Sequence, residues 1–166
     1  MRRILILAAG LAALPVLYAT LDAQSSTASM TVSASVNKNC TITTSPVSFG
    51  AYDPVAANAT APLDGTGTVT VACTKGAVAK IGLNAGSNAQ GTTRRMSQSA
   101  SAFLTYEIYS DAAHTVVWGN GTTDSLDIPA APNKNPRNYT AYGRVASAQD
   151  ATVGAYTDTV VATVNF

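Results

Sequence analysis

The stretch ASMTVSASVNKNC, Ala28 to Cys40, alternates apolar and polar residues with the period of two that a β-strand imposes on its two faces. Ala28, Met30, Val32, Ala34 and Val36 fall on one side, and Ser29, Thr31, Ser33 and Ser35 on the other. This run precedes every other strand-like segment of the chain. It is either the first strand of a closed domain or an arm whose apolar face is meant for another sheet.

Upstream, MRRILILAAGLAALPVLYATLDAQ places Arg2 and Arg3 before an apolar run from Ile4 to about Leu14, followed by Pro15 and small residues. That is the layout of a secretory signal peptide, and the run is too short for a membrane span. Cleavage after Ala19 or after Ala23 fits; Ala23 is the expected site, which makes residues 1–23 the leader. No cysteine stands there, so a lipid anchor is not expected. The remaining chain has the length for one domain, with an apolar fraction of 46% over the whole sequence. Losing Arg2, Arg3 and Asp22 leaves eight basic and eight acidic residues. This balance provides no field for nucleic acid, and Ser, Thr, Asn and Gln must solvate most of the surface, which suits association.

Cys40 and Cys73 are the two cysteines of an exported chain, and a single intrachain disulfide is expected. It would close a loop of about 33 residues and contribute about 3 to 4 kcal/mol. Two cysteines and one histidine do not suggest a four-ligand zinc site, and no metal or cofactor is expected. Downstream, TGTVTVAC puts Val69, Val71 and Cys73 on one face, and VAKIGLNAG does the same for Ala79, Ile81, Leu83 and Ala85. FLTYEIYSD sets Leu104, Tyr106 and Ile108 together. In YTDTVVATVNF, Tyr156, Val160, Ala162, Val164 and Phe166 share a face broken only by Asp158. With NYTAYGRVA there are about seven short strands, separated by loops rich in Gly, Pro, Asn and Thr, and these spell an all-β sandwich.

Catalytic candidates are few. His114 lies in SDAAHTVVWG and reads as a solvated turn residue rather than a general base. Glu107 reads as a strand residue facing solvent or a polar neighbour. Asp124 and Asp127 are too loosely spaced to specify a metal or a sugar-hydrolysing pair. Arg94 with Arg95 could meet an anion, and Tyr52, Tyr139 and Tyr142 could stack on a sugar, but half-buried sheet positions explain the tyrosines more simply. An enzyme is not expected.

Five segments in order, CTITTSPVSFGAYDP (Cys40–Pro54), VTVACTKG (Val69–Gly76), RRMS (Arg94–Ser97), LTYEIYSDAAHTVVWG (Leu104–Gly119) and YTDTVVATVNF (Tyr156–Phe166), resemble the spore coat protein U domain family. That family includes pilin subunits of archaic, Csu-type chaperone-usher pili. The resemblance implies an immunoglobulin-like β-sandwich missing its last strand, with residues 24–38 as an N-terminal donor-strand extension and 39–166 as the domain. It implies that Ala28, Met30, Val32, Ala34 and Val36 fill the groove of an adjacent subunit, beside the C-terminal strand. Other pilin subunits, a periplasmic chaperone and an outer-membrane usher are the implied partners, and a cell-surface fibre serving adhesion and biofilm formation is the implied location and role. The alternative is a monomeric secreted or spore-coat-type binding protein with a complete sandwich.

Overall fold

The computed structural model describes residues 22–166; the leader assigned to residues 1–23 lies almost wholly outside them, as does cleavage after Ala19. The chain divides into two units, an N-terminal one ending at Ser35 and a domain from Val36 to Phe166. Residues 22–39 form no strand or helix, and the apolar side chains of Met30, Val32 and Val36 are 88%, 88% and 84% exposed. The alternation there is a strand pattern without a ladder. No helix of the described residues is long and apolar enough to cross a membrane.

The domain holds eight strands: β1 (Cys40–Ser48), β2 (Leu63–Cys73), β3 (Ala79–Leu83), β4 (Arg94–Ser99), β5 (Ala102–Tyr109), β6 (Leu126–Ile128), β7 (Arg137–Val145) and β8 (Ala162–Asn165). One sheet has the order β1-β2-β7-β5-β4 and the other β6-β3-β8, with every neighbouring pair antiparallel. This is the β-sandwich that the strand pattern predicts, in the immunoglobulin-like form that the family resemblance implies. Val69 and Val71 of β2, Ala79, Ile81 and Leu83 of β3, Leu104, Tyr106 and Ile108 of β5, and Ala141 and Val145 of β7 are buried between the sheets. In β2 the intervening residues are only half-buried or exposed, as period-two alternation with one face inward requires.

Two polar features join the layers. The Trp118 indole is fully buried and donates from Nε1 to the Ile81 carbonyl at 2.8 Å. Arg94, from β4, is also buried; its guanidinium donates to the carbonyls of Leu83, Asn84 and Trp118 and pairs with Glu107. Arg94 is thereby removed from any anion-binding role. Arg95 lies 4.0 Å over the Phe103 ring and donates to the Asn88 carbonyl. Glu107 has a specific partner in Arg94 and receives the Ile108 N–H.

The sequence pattern misses β4 and β6. In RRMSQS, Arg94 occupies an inward position where an apolar residue would signal a strand, and LDI is too short to show a period. His114 also departs from expectation. It has φ +55° and its side chain is 9% exposed, with edge-on contacts to Tyr109 and Tyr142 and Nε2 at 3.8 Å from Asp64. The turn folds it back over the sheet instead of into solvent.

Cys40 and Cys73 stand opposite each other in the β1–β2 register and are joined by a disulfide. The bridge crosses neighbouring strands of one sheet, with Cys73 buried and Cys40 half-buried. Peptide mapping without reductant is expected to recover the Cys40–Cys73 linked peptide. The double substitution of both cysteines by alanine is expected to lower unfolding stability by about 3 kcal/mol, measured by urea titration.

Candidate functional site: a cleft between two strand edges

β1 is hydrogen-bonded to β2 alone and β8 to β3 alone, so each ends its sheet with one side of its backbone off the ladder. The β1–β2 register runs from Cys40↔Cys73 to Ser45↔Thr68, then shifts before resuming at Ser48↔Thr66. Pro46, which has no N–H to give a ladder, sits in that irregularity. The bend turns Val47 and Phe49 onto the inner face of the larger sheet. Gly143 makes this approach feasible, because a Cβ there would lie 2.6 Å from a Val47 methyl and 2.7 Å from the Phe49 ring. Phe49 meets Tyr106 edge-on at 6.0 Å.

Between these edges lies an apolar cleft. One part, about 360 Å³, is lined by residues including Val47, Val69, Ile108, Val160 and Ala162. A second part, about 710 Å³, opens among the 49–54 and 151–156 segments. Val47, Phe49, Met96 and Tyr156 border both, forming a waist between them.

The C-terminal segment forms the other wall. Tyr156, Asp158, Val160, Ala162 and Val164 are half-buried, while Thr157, Thr159, Val161 and Thr163 are exposed. The sequence face is therefore present, but only Ala162–Asn165 is strand, and Phe166 at its end is half-exposed to solvent. Residues 156–161 run between the two sheets: Thr157 exchanges both backbone hydrogen bonds with Ser97 of β4, Thr159 accepts from Ser87, and Val161 accepts from Asn84. A continuous ladder is lost because the segment changes partners.

Asp158, the one break in the apolar face, has a defined place. Its Oδ2 accepts from the Tyr106 hydroxyl at 2.7 Å, and its Oδ1 accepts from the Asn88 N–H and side-chain amide, each at 3.0 Å. Gly86, at φ +90°, leaves the room, since a Cβ there would lie 2.0 Å from the carboxylate. Burial, then the bond to Asp158, pushes the Tyr106 phenol well above its usual pKa, so it remains a donor.

The remaining candidates do not converge. Asp127 pairs with Lys80 at 2.9 Å, while Asp124 accepts the Gly121 N–H and so caps its own turn. The hydroxyl of Tyr52 donates to Ala146 and accepts from Gln149, so its polar end is already engaged. Tyr139 is partly buried against the core, and Tyr142 packs on His114. Beside them the Arg144 guanidinium makes two bonds of 2.7 Å to Asp64, and that bond, ahead of opposing desolvation, holds the carboxyl below its ordinary range. Among the described residues no group of three or more His, Cys, Asp or Glu could hold a metal. The residues that sequence reasoning did not single out are Val47, Phe49 and Met96; the only signal for Val47 and Phe49 is the apolar parity of PVSF, and Met96 stands in RRMSQS, a strand the sequence pattern does not show.

Comparison with known proteins agrees with this architecture. A family model for the Spore Coat Protein U domain matches residues 26–163. "Protein U" of Myxococcus xanthus is 35% identical, over 91% of this chain and 90% of its own length. A solved structure of the CsuC–CsuE chaperone–tip adhesion subunit pre-assembly complex, from archaic chaperone-usher Csu pili of Acinetobacter baumannii, contains a similar fold with a TM-score of 0.57 and 23% identity. The match covers 79% of this chain, and this chain spans 40% of the length of that one.

Asp158→Ala is expected to cost about 1 to 3 kcal/mol, because it strands the buried Tyr106 hydroxyl and the Asn88 donors. In a double-mutant cycle with Tyr106→Phe, measured by urea unfolding, the two losses should not add.

Proposed function

The chain belongs to the Spore Coat Protein U domain family, and from that premise we propose that it is a structural, non-catalytic subunit of an extracellular pilus or surface fibre. In this reading the chain passes through the periplasm with a chaperone, is assembled by an outer-membrane usher, and serves adhesion and biofilm formation. Residues 24–38 act as the donor-strand extension. Ala28, Met30, Val32, Ala34 and Val36 enter the cleft of the next subunit, against β1 on one side and the Tyr156–Val164 wall on the other.

The observation that carries this reading is the pairing of two unmet features in one chain. An apolar cleft lies between two ladder edges, and a separate segment with strand alternation exposes its apolar face. An extended peptide added to an open sheet edge gains main-chain hydrogen bonds and buries alternate side chains, which satisfies both features at once. The donor side chains are small, apart from Met30, so the bonds to the two edges carry much of the binding. The similar solved chain belongs to a chaperone–subunit complex, which supports a chaperone as the first occupant of the cleft. The family's description favours a second reading, a coat protein with the same fold. Neighbouring reading frames for a periplasmic chaperone and an usher would separate the two.

Deletion of residues 24–36 tests the proposal. Co-produced with its assembly proteins, the truncated chain is expected to remain folded and chaperone-bound but to give no detergent-resistant ladder on unheated gels. Fibres of normal length from that chain would overturn the reading.

A further inference from the structure

Two ends of the domain carry exposed charges of opposite sign. β1 runs from Cys40 toward Ser48, and the registers Cys40↔Cys73, Val71↔Arg137 and Ala79↔Ile128 place residues 37–39, 74–78 and 129–136 at its starting end. These carry Lys38, Lys75 and Lys134, all exposed, and no acid. Ser48↔Thr66 and Leu63↔Val145 place residues 49–62 and 146–155 at the other end. These carry exposed Asp53 and Asp150 and no Lys or Arg. Elsewhere Lys80, Arg94 and Arg144 are paired within the domain, and none of these five pole residues makes a salt bridge among the described residues. Each end also exposes apolar side chains: Val78 and Phe166, 55% and 51% exposed, at the lysine end, and Val55 and Val153, 88% and 92% exposed, at the aspartate end.

The root of the N-terminal segment is fixed at the lysine end. The Thr74 hydroxyl accepts from the Asn39 N–H at 3.1 Å and lies within donating distance of the Asn37 carbonyl at 3.2 Å, and the Thr74 N–H donates to Asn39 at 2.9 Å. From Val36 to the disulfide at Cys40 the chain can reach at most about 14 Å. The wider part of the cleft opens beside Asp53 and Val153, at the aspartate end.

We infer that these two ends form a second, head-to-tail interface between copies of this chain, lysine pole on aspartate pole, around the neck between donor arm and domain. This rests on the donor-strand reading above, which supplies the arm. With Val36 at the cleft mouth and Asn37 held by Thr74, the neck leaves no room for a gap, so the poles must touch. Opposite signs favour that docking, whereas lysine pole against lysine pole sets three cations against three. A contact between unlike ends also propagates, while a contact between like ends closes as a dimer. The interface selects partner orientation through charge, and the cleft supplies the hold.

Zero-length carbodiimide cross-linking of fibres of the full mature chain tests this. Amide links from Lys75 or Lys134 to Asp150 or Asp53 are expected. A link between Lys80 and Asp127, 2.9 Å apart within one copy, reports that the reagent worked. The double substitution Lys75→Glu with Lys134→Glu is expected to remove the pole links and to slow fibre growth, while still giving detergent-resistant ladders; adding Asp150→Lys should restore growth. Ladders with the Lys80–Asp127 link but no pole links overturn the interface and leave the donor arm standing. Absence of ladders from the unaltered chain overturns both.

Discussion

Two strand edges facing one apolar cleft constrain the whole domain. Backbone N–H and C=O groups demand partners, and an open edge beside apolar walls is where another chain will pair. β1 and β8 end different sheets and do not pair with each other, so the outer side of each backbone stays off any ladder. The bend at Pro46 and the inward turn of Val47 and Phe49 partly cover the inner face near this cleft. They fill it with side chains and leave the edges available.

With so much unfinished on one side, the sandwich needs firm joints elsewhere, and these are polar. Arg94 lets an edge strand of one sheet grip the carbonyls at the end of β3 in the other, with Glu107 balancing its charge. Asp158 lets the C-terminal segment lean on Tyr106 of β5 while it crosses from one sheet to the other. A buried charge is tolerated when every donor and acceptor around it is engaged, and both sites approach that condition. Their gain is in fixing geometry: they hold the cleft wall in one position.

Much of this could be read from the residues. The parity of Val69, Val71 and Cys73, and of Leu104, Tyr106 and Ile108, announced the inner faces, because alternation is unambiguous where one side of a sheet is buried. The alternation of Tyr156 to Val164 likewise announced an inward face, which lines the cleft although its backbone changes partners midway. β4 stayed hidden because its inward residue is Arg94, whose burial depends on carbonyls ten or more residues away in sequence. The packing of His114 was illegible for a related reason: a left-handed turn residue looks solvated until the sheet under it is known. The arm at 28–36 is a different case. Its pattern is plain, but on the donor-strand reading proposed above the sheet that would complete it belongs to another molecule, so no fold of one chain would display it.

The position of the disulfide has a mechanical consequence. Cys40 opens β1 and faces Cys73 directly, one residue from the segment that Thr74 holds. In a fibre of these subunits, tension arriving along the arm would pass the Thr74 contacts and then meet the sulfur link before it reached the rungs of β1 beyond Cys40. It would then be shared by β1 and β2 together, so that the outer strand could not be peeled away rung by rung. In such a fibre the crosslink would act as a rip-stop, and the strand pair would bear load in shear.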